Sequence, residues 1–183
     1  MVLQGYVWYD IFTCLDIVEV QRMIIYFDMD GVLADFEGYI RKNEMGYVSH
    51  DTRDKAADER MWEEIKKVDR FYFQLEPIPG ALELFRRLNE KYNCEILSAI
   101  PKPHWGLVGT AEDKRAWVAK YLGEEVPVNI VYREQKKDFA KGPQCVLVDD
   151  LEKNIREWNE LGGTGILFRG AESFDESFID KIM

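Results

Sequence analysis

Five short apolar runs, none of which alternates, limit what this chain can fold into. They are 23–27 (MIIYF), 94–98 (CEILS), 128–132 (VNIVY), 145–148 (CVLV) and 165–168 (GILF). A strand with one wet face alternates apolar and polar residues. A strand buried on both faces does not, and such strands belong to parallel sheets covered by helices. The segments between the runs carry a helical period. Pro79 suits a helix start, with Leu82, Phe85 and Leu88 on one face. Asp113 to Tyr121 carries Trp117, Val118 and Tyr121 as a core stripe, and Leu151, Ile155, Trp158 and Gly162 fall at i, i+4, i+7 and i+11. The pair Gly162-Gly163 ends that last helix. Strands alternating with helices predict an α/β fold, a doubly wound parallel sheet.

One stretch departs from this rhythm. Between Phe36 and Pro77 there is no convincing strand, and Lys55 to Val68 reads as an amphipathic helix with Ala57, Met61, Trp62, Ile65 and Val68 inward. Residues 38–75 are therefore expected to form a small helical cap inserted after the first strand. Insertions at strand ends often set specificity.

The first run ends in Asp28-Met29-Asp30-Gly31. Two carboxylates one residue apart at the end of a buried strand are costly unless they bind a cation or do chemistry. Ligands of open α/β sheets bind at those ends. Asp28 and Asp30 can divide two jobs, one attacking phosphorus and the other exchanging a proton. Gly31 lets the backbone approach a phosphate. A calcium loop fails, because its glycine belongs at position 6 and here stands at position 4. The fourth run ends in a second pair, Asp149-Asp150. Beside Asp28 in a parallel sheet it completes an oxygen-rich site suited to Mg²⁺; alone it would read as a helix N-cap. Ser98, ending the second run, could donate to a phosphate oxygen. Of Lys136, Lys137 and Lys141, one could hold a phosphate as a point charge. His50 and His104 show no partner spacing and read as surface residues.

The net charge of −10, spread along the 183 residues, disfavours binding to nucleic acid or anionic membranes. Cys14, Cys94 and Cys145 are odd in number and widely spaced, with no zinc spacing; a reducing cytoplasm fits. Residues 1–22 are apolar-rich but interrupted by Asp10, Asp16 and Glu19, with no basic residue before Arg22. They read neither as a signal peptide nor as a membrane span. Met23 reads as the natural start, with 1–22 an upstream extension; an N-terminal strand or partner-binding segment is the alternative.

The DxDG segment at 28–31, Ser98, a lysine near 137 and Asp149-Asp150, in that order, resemble the four motifs of the haloacid dehalogenase superfamily. More closely, DMDGVLADFE at 28–37, LEPIPGALE at 75–83, DKRAWVAKYLG at 113–123 and VLVDD at 146–150 are similar to the 5′(3′)-deoxyribonucleotidases, cytosolic and mitochondrial, and their bacterial and phage relatives. The likeness runs through 23–170. It implies a Rossmannoid fold with Asp28 as nucleophile and metal ligand, and Asp30 as acid/base lending its backbone carbonyl to Mg²⁺. Asp150 would be the third ligand, with Asp149 supporting it. Ser98 and Lys137 would bind phosphate. Phe36 would pack on the nucleobase and Lys114 would lie near the substrate; Phe36 and the aromatic cluster Phe71–Phe73, Phe73 included, are expected to supply an apolar base pocket. The implied substrate is a small phosphomonoester, a deoxyribonucleotide, hydrolysed in the cytoplasm; a homodimer is compatible with the resemblance. Two departures stand out: Ser98-Ala99-Ile100-Pro101, where relatives often have Thr followed by Ser and Pro, and a longer approach to the fourth strand, KKDFAKGPQC. A phosphatase for another small ester, or a non-catalytic binding protein on the same fold, are the rival readings.

Overall fold

The computed structural model describes residues 23–46, 55–174 and 177. Residues 1–22, with Cys14, which were expected to be an upstream extension, and the histidine at 50 lie outside them. Strands β1 (Ile24–Phe27), β2 (Asn93–Ala99), β3 (Val128–Val131), β4 (Cys145–Asp149) and β5 (Thr164–Leu167) form one parallel sheet in the order β3-β2-β1-β4-β5. The chain starts in the middle, builds outward through β2 and β3, then crosses to β4 and β5. Strand β1 is thus flanked by the two directions of winding, and the crevice beyond its carboxyl end is where such sheets take ligands.

The sheet is covered on both faces, as its unbroken apolar runs require. Ile25, Phe27, Cys94, Ile96, Val146 and Val148 belong to one core with Leu84, Phe85 and Leu88 of α3 (Ala81–Asn89) and Trp117 and Val118 of α4 (Thr110–Tyr121). Tyr26, Leu97, Cys145 and Leu147 form the other with Trp158 of α5 (Glu152–Glu160) and Ala140. Residues alternate between these cores along each strand because side chains alternate faces. The edge strands β3 and β5 are only half-buried, less than their apolar runs predict. Cys94 and Cys145 are buried free thiols.

Two helix faces differ from their sequence reading. Helix α3 begins at Ala81, after Gly80 rather than at Pro79, and buries Ala81 and Leu84 where Leu82 was expected. Helix α4 begins at Thr110, and its buried face includes Asp113 and Lys114 beside Trp117 and Val118.

Between β1 and α3 the described chain contains helices and no strand: α1 (Phe36–Lys42), α2 (Lys55–Ile65) and a 3₁₀ turn at Phe71–Gln74. Asp35 caps α1 by accepting from the Gly38 N–H at 2.8 Å. The insertion leaves and rejoins the sheet layer side by side. Asp35 N donates to Glu76 O and Ile78 N to Leu33 O, both at 2.8 Å. That clamp holds the helices over the carboxyl ends of the strands.

Candidate active site

Past Phe27 the chain turns sharply. Leu33 N and Ala34 N both donate to Met29 O, at 2.9 and 2.8 Å. Gly31 sits at φ +76°, and a Cβ there would overlap Asp150 Oδ2. Glycine is needed for its conformation and because a carboxylate from β4 packs against it. Asp28 is buried. Its Oδ1 accepts from Met29 N and its Oδ2 from Lys136 Nζ, both at 2.7 Å.

Parallel pairing sets Phe27 opposite Val148, so the acidic ends of β1 and β4 converge. Asp149 is saturated: Leu151 N and Asn154 Nδ2 donate to Oδ1, and Lys136 Nζ and Asn154 Nδ2 to Oδ2, at 2.7–3.0 Å. Asp150 lines the cavity described below.

The lysine that reaches these carboxylates is Lys136, not Lys137. Residues Arg133–Phe139 form a 3₁₀ helix, whose three-residue period puts Arg133, Lys136 and Phe139 on one face. Lys136 is buried between Asp28 and Asp149, and Lys137 is exposed. Lys141 is exposed as well.

Lys114 is wholly buried and donates to Asp30 Oδ2 at 2.6 Å and Ser98 Oγ at 2.9 Å, with its ammonium 4.5 Å from the centre of the Tyr72 ring. The expected substrate neighbours Lys114 and Ser98 therefore stand behind the cavity wall. Ala99, Ile100 and Pro101 line it in place of Ser98. Asp30 does line the cavity, and its Oδ1 is buried without a hydrogen-bond partner. An orphaned carboxylate oxygen is costly unless a substrate group completes it.

Carboxylate oxygens of Asp28, Asp149 and Asp150 lie within 4.8 Å of one another. Burial pushes the Asp28 carboxyl up to about 6 against the pull of Lys136, with Asp149 and Asp30 pushing the same way. Burial, reinforced by the charges of Asp28 and Asp149, pushes Asp150 up to about 8. Burial alone would lower Lys136, but Asp149 and Asp28 outweigh it and raise it. One lysine does not neutralise this cluster. An all-oxygen donor set with excess negative charge fits a hard divalent cation such as Mg²⁺. Asp28 and Asp150 would supply side-chain ligands; the lone pairs of Asp149 are already committed.

Above the carboxylates is a cavity of about 410 Å³, bordered on one side by residues of the inserted helices. Phe36 faces it, with the rings of Tyr72 (6.4 Å, stacked) and Trp62 (6.4 Å) beside it, and Trp62 lies 5.7 Å from Trp105. Phe73 is not part of this wall. The Arg70 guanidinium covers its ring at 4.1 Å and Lys120 approaches at 5.1 Å. The four-residue 3₁₀ turn presents Tyr72 to the cavity in its place. Trp105, Arg133 and Asn154 also line the cavity and were not anticipated. Arg133 donates to Asn154 Oδ1 (3.1 Å) and Glu157 Oε2 (2.9 Å). Its three-residue spacing from Lys136 was the available signal. His104 is exposed beside Trp105 and does not line the cavity.

The fold is shared with solved haloacid dehalogenase-type hydrolases. One from Ehrlichia chaffeensis has a TM-score of 0.53 at 16% identity, covering 88% of this chain and 98% of the other. One from Streptococcus pneumoniae has a TM-score of 0.54 at 13% identity, covering 88% and 91%. By sequence, a Vibrio phage KVP40 protein bearing the 5′(3′)-deoxyribonucleotidase name is 31% identical over 86% of this chain and 81% of its own length. The human mitochondrial 5′(3′)-deoxyribonucleotidase is 29% identical, and this chain spans 60% of its length. The family described as 5′ nucleotidase, deoxy (pyrimidine), cytosolic type C protein matches residues 22–176. With the carboxylates of both acidic strand ends gathered at the head of the sheet, the chain belongs to that family of phosphoric monoester hydrolases.

Proposed function

We propose that the protein is a Mg²⁺-dependent 5′(3′)-deoxyribonucleotidase working through an aspartyl-phosphate on Asp28. The observation that carries this is the pairing of Asp28, held at both oxygens, with Asp30, whose Oδ1 is buried and unpartnered beside it. A bound cation would supply neutralisation of phosphate charge and orientation for in-line attack.

The rest of the chemistry belongs to the chain's own groups. An Asp28 carboxylate oxygen forms a bond to phosphorus as the ester P–O bond breaks. The leaving sugar oxygen takes a proton from Asp30 Oδ1, while Oδ2 stays fixed by Lys114. Water then adds to phosphorus, giving its proton back to Asp30, and the P–O bond to Asp28 breaks to release phosphate. Lys136 balances charge on the Asp28 side, and Arg133, held by Asn154 and Glu157, is the other cation at the cavity wall and suits a phosphate oxygen. Phe36, Tyr72 and Trp62 supply faces on which a base can stack, worth ~1–3 kcal/mol per base in other systems. A cavity of about 410 Å³ suits a mononucleotide.

Phosphate release should be measured with Mg²⁺ from deoxy- and ribonucleoside 5′- and 3′-monophosphates, sugar phosphates and a chromogenic ester, beside Asp28→Asn. Turnover centred on deoxynucleotides and lost in the variant is expected. Turnover confined to sugar phosphates would discard the nucleotide assignment. Retained activity in Asp28→Asn would discard the mechanism.

A further inference from the structure

Asn154 does two opposite jobs with one amide. It is the third residue of α5, 5% exposed, at the cavity wall. Its Nδ2 donates to both oxygens of Asp149, at 3.0 and 2.9 Å, and its Oδ1 accepts from Arg133 Nη1 at 3.1 Å. A carboxylate only accepts and a guanidinium only donates, so the amide fits one way round. An aspartate in its place would set two carboxylates face to face, and an apolar residue would serve neither neighbour.

The contact joins two short periodicities. Asn154 and Glu157 stand three apart on α5, and Arg133 and Lys136 three apart on the 3₁₀ helix that packs against it. Glu157 Oε2 accepts from the same Arg133 nitrogen at 2.9 Å. Holding Arg133 by Nη1 alone leaves its Nε–Nη2 edge with no partner among the described residues. That edge carries two parallel N–H groups, the arrangement that grips two oxygens of a phosphate. We infer that Asn154 is a positioning residue, which with Glu157 holds Arg133 so that its open edge meets the substrate phosphate beside Asp28. This rests on the phosphoryl-transfer chemistry proposed above, and not on the base or sugar. Asn154 acts through Arg133 more than through Asp149. Without Asn154, Asp149 keeps Lys136 Nζ and Leu151 N, whereas Arg133 keeps only Glu157. A guanidinium fixed before the substrate arrives loses less freedom on binding it than one free to swing on its long side chain.

Inorganic phosphate is the probe, because as the product it occupies the phosphate site with no base or sugar attached. Its Ki is measured in saturating Mg²⁺ against the best substrate of the panel above. The proteins compared are the wild type, Asn154→Ala, Glu157→Ala, Arg133→Met and the double variant Asn154→Ala/Arg133→Met. Asn154→Ala is expected to raise Ki ~10- to 100-fold, with KM rising alongside. Glu157→Ala should raise both less, in the same direction. The double variant should match Arg133→Met within ~3-fold, because both changes act on one contact. A role in stability alone would lower Tm and leave Ki where it was. Should Asn154→Ala not fold, Glu157→Ala decides on the same readout. An unchanged Ki in the folded variants, or a double variant that multiplies the two single losses, overturns the inference and leaves the nucleotidase reading intact. No hydrolysis of any phosphate ester, with a wild-type Tm that phosphate and Mg²⁺ together do not move, overturns both.

Discussion

Removing one negative charge from the head of the sheet should stabilise the cation-free protein, and Asp150→Asn is the substitution that tests it. The fold holds the Asp150 carboxyl at about 8, against an ordinary 3.8, chiefly through burial. The folded chain then keeps a proton that the unfolded chain gives up, so stability falls as pH rises from about 4 to about 8. Asp28, held at about 6, acts in the same direction over the lower part of that window. At about 1.4 kcal/mol per pH unit, the Asp150 interval sets a ceiling of ~6 kcal/mol. Asp150 is half-buried, and access of water and buffer ions reduces this to ~2 kcal/mol. For a domain of this size that is ~4–8 °C in Tm. In chelator at pH 8 the variant is therefore expected to melt above the wild type, and to lose the decline in Tm between pH 5.5 and 8.5. A cation that binds only the folded state at a hundred times its Kd adds ~2.7 kcal/mol, so Mg²⁺ should raise the wild-type Tm and leave the variant nearly unmoved. Thermal melts of both proteins across pH, with EDTA or Mg²⁺, give the answer. A variant that melts below the wild type in EDTA at pH 8, or one that keeps the full Mg²⁺ shift, would refute the reasoning.

Other substitutions probe the remaining contacts. Lys136→Met is expected to lower kcat by ~10²–10³, as for loss of a transition-state donor, whereas Lys137→Met should leave kcat unchanged in the same steady-state assay. Gly31→Ala forces a side chain to φ +76° against Asp150; it should cost ~1–2 kcal/mol from the backbone alone and abolish the Mg²⁺ response in a melt. Lys114→Met leaves Asp30 and Ser98 without their shared donor and should cost ~3 kcal/mol in urea denaturation. Phe36→Ala should raise KM for deoxynucleotides ~5- to 100-fold through lost stacking, and Phe73→Ala should not.

The unbroken apolar runs were enough to place every strand within a residue or two, because burial on both faces leaves no polar alternation to misread. The acidic pairs were equally plain: parallel strands bring their carboxyl ends together, and Phe27 opposite Val148 does the rest. What the sequence hid was direction within short 3₁₀ segments. A three-residue period, not 3.6, decides that Lys136 faces Asp28 while Lys137 faces water. In the four-residue turn at Phe71–Gln74 three consecutive aromatics gave no pattern from which to choose Tyr72 over Phe73. Lys114, expected near the substrate from the resemblance alone, is wholly buried, and only the long-range partners Asp30 and Ser98 make that burial tolerable. Trp105 and Asn154 join the site through tertiary contacts that no local spacing announces.

The account stands on a phosphoryl group passing through Asp28. Single turnover with a ³²P-labelled deoxynucleoside monophosphate, quenched in acid, should leave label on the protein. That label should be released by hydroxylamine as an acyl phosphate is, map to the peptide containing Asp28, persist longer in Asp30→Asn and be absent from Asp28→Asn. Rapid phosphate release with no protein-bound label at any time, in the wild type and in Asp30→Asn alike, would contradict it.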